Sequence, residues 1–296
     1  MRYICTSDWH LSGNRPLMRT DSDWIETQKR HLDVLFSVAK EYDATVLVAG
    51  DVFDVPTVPP VILNMVLGTL LRWPKTYFIA GNHDLPYHTF DKVEQCSFGA
   101  IRKMNPIPSQ LRAVDFGRDV GSGTSEVAMH HRFSVLSEAD KPPMRDSVTA
   151  KDWLDAYPEE VKLIVVGDNH TPWVYGNDKK NGRLVVNCGC LIQRTATDAQ
   201  HKCGFYYVDT DSHSCVFHDL SYLSEGCIDL SYIEKAKEDK MRQASYEGLV
   251  TELKGSVGKS YDFPNTLREY TEHNREALGE GVADFLEEVV DYIKEE

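Results

Sequence analysis

The chain has 296 residues, a formal net charge of −14 from 32 Lys+Arg against 46 Asp+Glu, and 42% hydrophobic and 26% charged residues. That length suits one large α/β domain plus an appendage, and the acid surplus argues against the chain acting alone as a high-affinity nucleic-acid binder, because backbone binding is mostly charge neutralisation. No apolar run reaches the roughly 20 residues of a membrane span, and seven cysteines scattered through the chain fit a reducing compartment rather than a disulfide framework.

Residues 2–7 read as a short apolar strand, Tyr3-Ile4-Cys5, followed at once by Asp8 and His10. The apolar run is interrupted by Thr6 and Asp8, so no secretory leader is read and a cytoplasmic location is expected. Residues 22–42 place Trp24, Ile25, Leu32, Leu35, Phe36 and Ala39 near helical spacing, with Asp21 or Ser22 as the expected cap. Thr45-Val46-Leu47-Val48-Ala49 is a continuous β-rich run, as in a strand buried on both faces, and it ends in Gly50-Asp51-Val52-Phe53-Asp54. Residues 59–72 are a helical run opening on proline, which suits a first turn. Residues 76–80 are the next strand, ending in Gly81-Asn82-His83-Asp84. Alternating strands and helices imply parallel pairing with right-handed crossovers.

Past residue 86 the pattern weakens at Pro106, Pro108 and a glycine-containing stretch over 117–123. Residues 112–116 are one strand candidate; residues 126–129 are a better one, delivering His130 and His131 at its end. Residues 142–147 read as loop, and Thr149 caps a short helix through Ala156. Residues 163–166 form a buried strand ending in Gly167-Asp168-Asn169-His170. The period then changes to two. Residues 173–175, 177–182 and 183–187 read as strand, turn, strand, and residues 204–209, 210–212 and 215–219 repeat the pattern. This antiparallel meander is expected to make a second sheet. From about Ser231 the composition shifts, so the boundary is drawn between a main domain, 1–225, and a helical extension, 226–296. There Leu278, Val282, Phe285, Leu286, Val289, Val290 and Ile293 make a helical stripe with acids opposite. It reads either as a helix packed on the body or as one that docks a partner.

Four strands thus end in D-x-H, G-D-x-x-D, G-N-H-D and G-D-x-H. The carboxyl ends of strands are where α/β proteins build sites. One His or Asp after a strand is usually a cap or turn residue; four such segments in order are not explained that way. Mixed carboxylate and imidazole donors suit Mn²⁺, Fe or Zn²⁺ better than a pure-oxygen set would.

These segments resemble the motifs of the calcineurin-like metallophosphoesterases, D-x-H, G-D-x-x-D, G-N-H-[DE], a lone His and G-H-x-H, over roughly residues 1–220. Thr6-Ser7-Asp8-Trp9-His10-Leu11, Ala49-Gly50-Asp51-Val52-Phe53-Asp54 and Ala80-Gly81-Asn82-His83-Asp84 are most similar to the nuclease subunit of bacterial SbcCD-type DNA repair complexes. The resemblance implies an α/β fold, a two-sheet αββα sandwich with a C-terminal helical extension. It implies a DNA exonuclease or endonuclease of recombination and repair, using two divalent metal ions to activate hydroxide. Mn²⁺ is the first expectation, with Fe, Zn²⁺ or Mg²⁺ as alternatives. The partners implied are DNA and a coiled-coil ATPase like SbcC, with homodimer pairing seen among relatives and no membrane.

By the same resemblance, metal 1 is held by Asp8, His10 and His170, metal 2 by Asn82 and His130, and Asp51 bridges. His83 protonates the leaving oxygen and Asp84 orients its ring. One motif departs: Asp168 stands where the family has a histidine on metal 2. It is read as an oxygen ligand favouring a harder ion such as Mn²⁺, against a weak second site or a solvated loop aspartate. Of the adjacent pair, His130 is favoured as ligand and His131 is left as a substrate contact. Trp9 either stacks on a base or packs under its loop. Asn187-Cys188-Gly189 followed by Leu191-Ile192-Gln193 resembles a loop near the site of SbcCD-like nucleases, which makes Gln193 and Arg194 substrate candidates. Lys179, Lys180 and Arg183 either touch phosphate or are solvated. Asp54 is read as structural, and Cys188, Cys190 and Cys203 as buried thiols, because a zinc site lacks its fourth ligand. Two rivals stand beside the nuclease: a stand-alone phosphoesterase on small nucleotides, capped ends or phosphoproteins, and a degenerate subunit that binds without catalysis.

Overall fold

The computed structural model describes residues 1–73, 75–104, 112–115, 118–120, 126–142, 146–176, 182–195, 197–229, 231, 234–235 and 263–295. The chain divides into two compact units, Met1–Asp229 and Leu230–Glu296. In the first unit the strands are β1 (Arg2–Thr6), β2 (Thr45–Ala49), β3 (Thr76–Ile79), β4 (Arg112–Asp115), β5 (Arg118–Val120), β6 (Val127–His131), β7 (Ser134–Val135), β8 (Val148–Thr149), β9 (Leu163–Gly167), β10 (Trp173–Gly176), β11 (Leu184–Asn187), β12 (Gly204–Asp209) and β13 (Ser214–Asp219). Its helices are α1 (Trp24–Glu41), α2 (Pro60–Arg72), α3 (Ser97–Met104) and α4 (Ala150–Ala156).

Among the described residues two main sheets result, in the orders β13-β12-β1-β2-β3 and β10-β11-β9-β6-β4-β5, and β7 pairs with β8 in a small third. β1, β2 and β3 pair in parallel, as do β11, β9, β6 and β4. The fold is mixed α/β with two main sheets and helices, as expected. Period-two alternation explains why the central strands read as unbroken apolar runs. Leu47 and Ala49 join Tyr3, Cys5, Met129 and Val165 in one core between the sheets. Val46 and Val48 point the other way, into a core with Leu32 and Leu35 of α1 and Ile62 and Val66 of α2. On the second sheet Ile164 and Val166 face Trp153 of α4. Each central strand is therefore covered twice, and truncating Leu47 to alanine would cost about 2–5 kcal/mol.

Helix α1 begins two residues later than its periodicity indicated. Asp23 is the cap, accepting the Glu26 amide at 3.0 Å. Neither sequence candidate, Asp21 or Ser22, is the cap; Asp21 is instead bonded to the Arg19 guanidinium through both oxygens at 2.7 Å. Helix α4 carries the expected Thr149 cap, with a reciprocal bond to Asp152.

The meander expectation does not hold. β10–β11 and β12–β13 are both hairpins, but they join different sheets: β11 lies parallel to β9, whereas β12 lies antiparallel to β1. Alternation specifies a hairpin and its faces; it says nothing about which sheet edge the hairpin meets. Because the hairpins part company, residues 188–203 must cross from one sheet to the other.

In the second unit the described helices are α5 (Phe263–His273), α6 (Arg275–Leu278) and α7 (Glu280–Glu295). Leu267 of α5 and Val290 of α7 are buried together, with Tyr270 and Leu286 packed against them. Arg275 pairs with Glu287 and Asp284, each at 2.6 Å. The side chains of Phe285, Val289 and Ile293, three members of the expected stripe, lie outside the described residues. No described helix is long and apolar enough to cross a membrane.

Candidate metal centre

The carboxyl ends of β1, β2, β3, β6 and β9 deliver the candidate residues. Beyond its strand, β1 continues beside β2: the Asp8 amide donates to Gly50 O at 3.0 Å and the His10 amide to Asp51 O at 2.9 Å. Asp8, His10, Asp51 and Asp168 all adopt left-handed backbone, with φ of 49°, 45°, 50° and 81°. Such φ values are uncommon for non-glycine residues and cluster at functional sites; here they turn side chains off the strand direction toward one another. Two glycines make room. A Cβ on Gly81 would lie 2.0 Å from Asp51 Oδ1, and one on Gly50, at φ +92°, would lie 2.2 Å from His131 Nδ1.

Asp8 and Asp51 are nearly inaccessible, at 0% and 2% exposure. The His10 and His170 Nε2 atoms stand 3.2 Å apart, and Asp8 Oδ1 is 3.9 Å from the first and 3.8 Å from the second. Asp51 Oδ2 lies 3.6 Å from His10 Nε2 and 3.3 Å from His131 Nε2. His131 Nε2 is also 3.1 Å from Asn82 Oδ1, while its Nδ1 meets Ala49 O at 2.8 Å. His83 donates its amide to Asp51 Oδ1 at 2.9 Å, and its Nδ1 meets Asp54 O at 2.9 Å.

A divalent cation fits this set. Ligand atoms of Asp8, His10 and His170 all lie within 4.8 Å of one another, as do those of Asp8, Asp51 and His131, and those of His10, Asp51 and His83. Asp8 belongs to both of the first two groups, the sharing that a pair of neighbouring cations requires. The electrostatics agree. Burial opposes a charged His131, but the Asp51 carboxylate, with Asp8 and Asp168 behind it, pushes the imidazole up to about 10. Burial likewise opposes charge on His170, and Asp198 and Asp8 push it up to about 9. Asp51 is buried, yet His131 and His10 hold its carboxyl well below the usual range. Clustered carboxylates thus demand positive charge, and His10 Nδ1 is buried without a hydrogen-bond partner.

Several candidates sit elsewhere than the sequence suggested. His130 was favoured over His131, but its ring lies on the outer face of the sheet. It packs at 4.2 Å on Trp153 and is hydrogen-bonded to the Tyr157 hydroxyl, and burial lowers it to about 4. The imidazole beside Asn82 and Asp51 is His131. The reason is strand parity: Val127 and Met129 face the inter-sheet core while Ala128 faces outward, so 131 and not 130 points inward.

Asp84 does not orient His83. It is fully buried and accepts the amides of Phe53 at 2.8 Å, Gly81 at 2.9 Å and Val52 at 3.2 Å, tying the second motif loop to the third. Burial, with the Asp51 charge added, pushes it up to about 8. The group that fixes His83 is the Asp54 carbonyl.

Asp168 donates its amide to both Asp8 oxygens at 3.2 Å. Its carboxylate adds charge near His131 but joins none of the ligand clusters found among the described residues.

Trp9 does not face substrate. At 1% exposure it packs edge-on against Phe78 and Phe36 and donates Nε1 to Thr6 Oγ1 at 2.8 Å. Gln193 is also buried, with Nε2 bonded to His201 O at 2.6 Å. Arg194 does reach the site, where Nη1 bonds Asp54 Oδ1 at 2.7 Å. Asp54 itself stands 3.6 Å from His10 Nδ1, so it acts within the cluster and not only behind it. Arg183 is bonded to the carbonyls of Val161 and Tyr157, and Lys179 and Lys180 lie outside the described residues. Cys188, Cys190 and Cys203 are buried free thiols.

One functional residue went unread. Asp198, in the 188–203 crossing, holds His170 Nδ1 at 2.8 Å and so aims Nε2 into the cluster. Its other oxygen accepts the amides of Thr195 at 2.8 Å and Arg194 at 3.0 Å. Nothing in Thr195-Ala196-Thr197-Asp198 marks that role, because its partner is 28 residues away.

The model of the calcineurin-like phosphoesterase family matches residues 1–195. Among curated proteins none matches the chain. Solved structures similar to it include a metallophosphoesterase from Sphaerobacter thermophilus, at 17% identity and TM-score 0.41 over 82% of this chain and 94% of that one. Another is a conserved uncharacterized protein described as a predicted phosphoesterase from Streptococcus pneumoniae, at 14% identity and TM-score 0.32 over 74% of this chain and 97% of that one.

Proposed function

This chain belongs to the calcineurin-like phosphoesterase family, whose members are metal-dependent phosphoester hydrolases, and from that premise we propose that it is a DNA phosphodiesterase, the nuclease subunit of an SbcCD-type complex. The observation that carries the reading is the placement of His83. With Nδ1 held 2.9 Å from the Asp54 carbonyl, that nitrogen keeps its hydrogen, and Nε2 is the position that takes and releases a proton. The ring stands edge-on to His10, with centroids 4.7 Å apart, inside the ligand cluster. Cleaving a diester expels a basic alkoxide, and a positioned proton donor typically contributes about 10²–10⁴-fold.

Asp8, His10, Asp51, Asn82, His131 and His170 are the residues that would hold two divalent cations. Such cations, when bound, neutralise charge on phosphoryl oxygens and lower the pKa of water. The protein positions that set from behind: Asp198 holds His170, Ala49 O holds His131, and Asp54 O holds His83. Mn²⁺ is the ion proposed on the motif resemblance, since the mix of oxygen and nitrogen donors by itself suits Mn²⁺, Fe or Zn²⁺.

DNA is preferred over other diesters on the motif segments around Asp8, Asp51 and His83. A net charge of −14 means that a partner must supply basic surface, and a coiled-coil ATPase docked on the C-terminal unit is the partner proposed. The same charge favours one rival, a phosphoesterase acting on a small nucleotide. The test is purified protein with Mn²⁺ on labelled single- and double-stranded linear DNA, beside bis(p-nitrophenyl) phosphate, with and without candidate ATPase. DNA should be degraded, and His83→Ala should slow this at least 100-fold with bound Mn²⁺ at the wild-type level. Cleavage of the generic ester alone, with DNA intact in every combination, would favour the rival.

A further inference from the structure

Beside the metal cluster is a cavity of about 410 Å³ whose walls include Phe133, Leu136, Asp140, Asn169, Thr171 and Trp173. Its position follows from the chain. Phe133 is two residues past His131, and Asn169 and Thr171 flank His170, so the walls are continuous in the chain with two of the groups that would hold the scissile phosphate. The floor is stiff: Asn169 Nδ2 donates to Ser134 O at 2.7 Å, its Oδ1 accepts the Thr171 amide at 3.1 Å, and Asn187 Nδ2 bonds both Asn169 O and Thr171 O at 2.7 Å.

We infer that this cavity receives an unstacked nucleobase of the substrate, next to the phosphate being cut; the inference rests on the phosphodiesterase reading above. The chemistry of the walls selects the ligand. Phe133 and Trp173 offer two half-buried aromatic side chains, and aromatic faces bind bases of any identity by stacking. No lysine or arginine is among the described lining residues and Asp140 is, so a second phosphate is disfavoured. Asp140 Oδ2 accepts the Ser137 amide at 3.0 Å and the Ser137 hydroxyl at 2.6 Å, which leaves Oδ1 to accept from an exocyclic amine of a base. The Trp173 indole Nε1 is buried with no hydrogen-bond partner, so the ring meets the cavity through its apolar atoms. A cavity of this size holds a single base and sugar and excludes paired DNA, so the site would prefer frayed or single-stranded ends.

The test compares two chromogenic diesters with Mn²⁺: the p-nitrophenyl ester of thymidine 5′-monophosphate, and methyl p-nitrophenyl phosphate, which lacks the base. Wild-type protein should show the lower KM on the thymidine ester. Phe133→Ala should raise that KM about tenfold relative to its effect on the methyl ester. Leu136→Glu, at a position 42% exposed and tolerant of change, should act in the same direction if Phe133→Ala fails to fold. Binding is read separately, without catalysis, as quenching of free 2-aminopurine riboside, which is uncharged and has no ester to cleave; either variant should abolish the quench, and no quench with wild-type protein would overturn the inference. Equal KM shifts on both esters, or an undiminished quench, would overturn the inference while leaving the phosphodiesterase standing. Turnover of neither ester would instead count against the catalytic reading, and the quench would still decide the cavity.

Discussion

Replacing Asp198 by asparagine is the sharpest probe of how the centre is supported. The wild-type carboxylate accepts three hydrogen bonds, from His170 Nδ1 at 2.8 Å, Thr195 N at 2.8 Å and Arg194 N at 3.0 Å, with a side chain only 2% exposed. Asparagine has the same shape but one acceptor oxygen and one donor group. Turned one way, its amide NH₂ confronts His170; turned the other, it confronts two backbone N–H groups. Each buried donor left without an acceptor costs about 1–3 kcal/mol. Removing the charge also lowers the basicity of His170 as a ligand, an effect that in comparable carboxylate–histidine pairs weakens metal binding about 10–100-fold. Tenfold is about 1.4 kcal/mol, so the expected loss is about 1.4–2.8 kcal/mol of cation affinity. Calorimetric titration of the apo protein with Mn²⁺ at fixed pH measures it. The site served by Asp8, His10 and His170 should weaken by that factor, and the site served by Asp51, Asn82 and His131 should shift much less. A change under twofold at the first site, or equal losses at both, would refute the reasoning.

The neighbouring histidines offer a second test: His131→Ala should remove one equivalent of bound Mn²⁺ by metal analysis, whereas His130→Phe should leave the stoichiometry at its wild-type value. Gly81→Ala should depress kcat at least 100-fold, because the new Cβ would lie 2.0 Å from Asp51 Oδ1. Gly68→Ala, which meets nothing within 4 Å in α2, should instead raise stability in urea by about 0.5–1 kcal/mol. The pH dependence of folding should carry a His31 signature. Burial pulls that imidazole down to about 4, its Nδ1 is bonded to Thr27 O at 2.8 Å, and its Nε2 is buried unpartnered. The unfolded chain then binds the extra proton first, so stability is full above about pH 6.5 and falls through pH 4, by about 3 kcal/mol in all. His31→Phe should flatten that part of the acid limb in urea melts collected from pH 7 to 4; an unchanged slope would contradict it.

The order of strands and helices through β3, the double burial of β2 and β9, and the residues that end four strands were all legible in the sequence, because each depends on a period of two or 3.6 and on local turn chemistry. Asp8, His10, Asp51, His83 and His170 are brought together by one rim, so reading each motif at a strand end was enough to nominate them. Other roles are settled by which surfaces meet. Strand parity relative to the opposite sheet turned His131 inward and His130 out; three amides from two loops took Asp84 away from His83; and a carbonyl from Asp54 replaced it. The two C-terminal hairpins look alike in sequence and dock on different sheets, and the crossing this forces is what carries Asp198 to His170. Local pattern encodes an element and its faces, whereas the partner across a long loop depends on packing that no short stretch of residues contains.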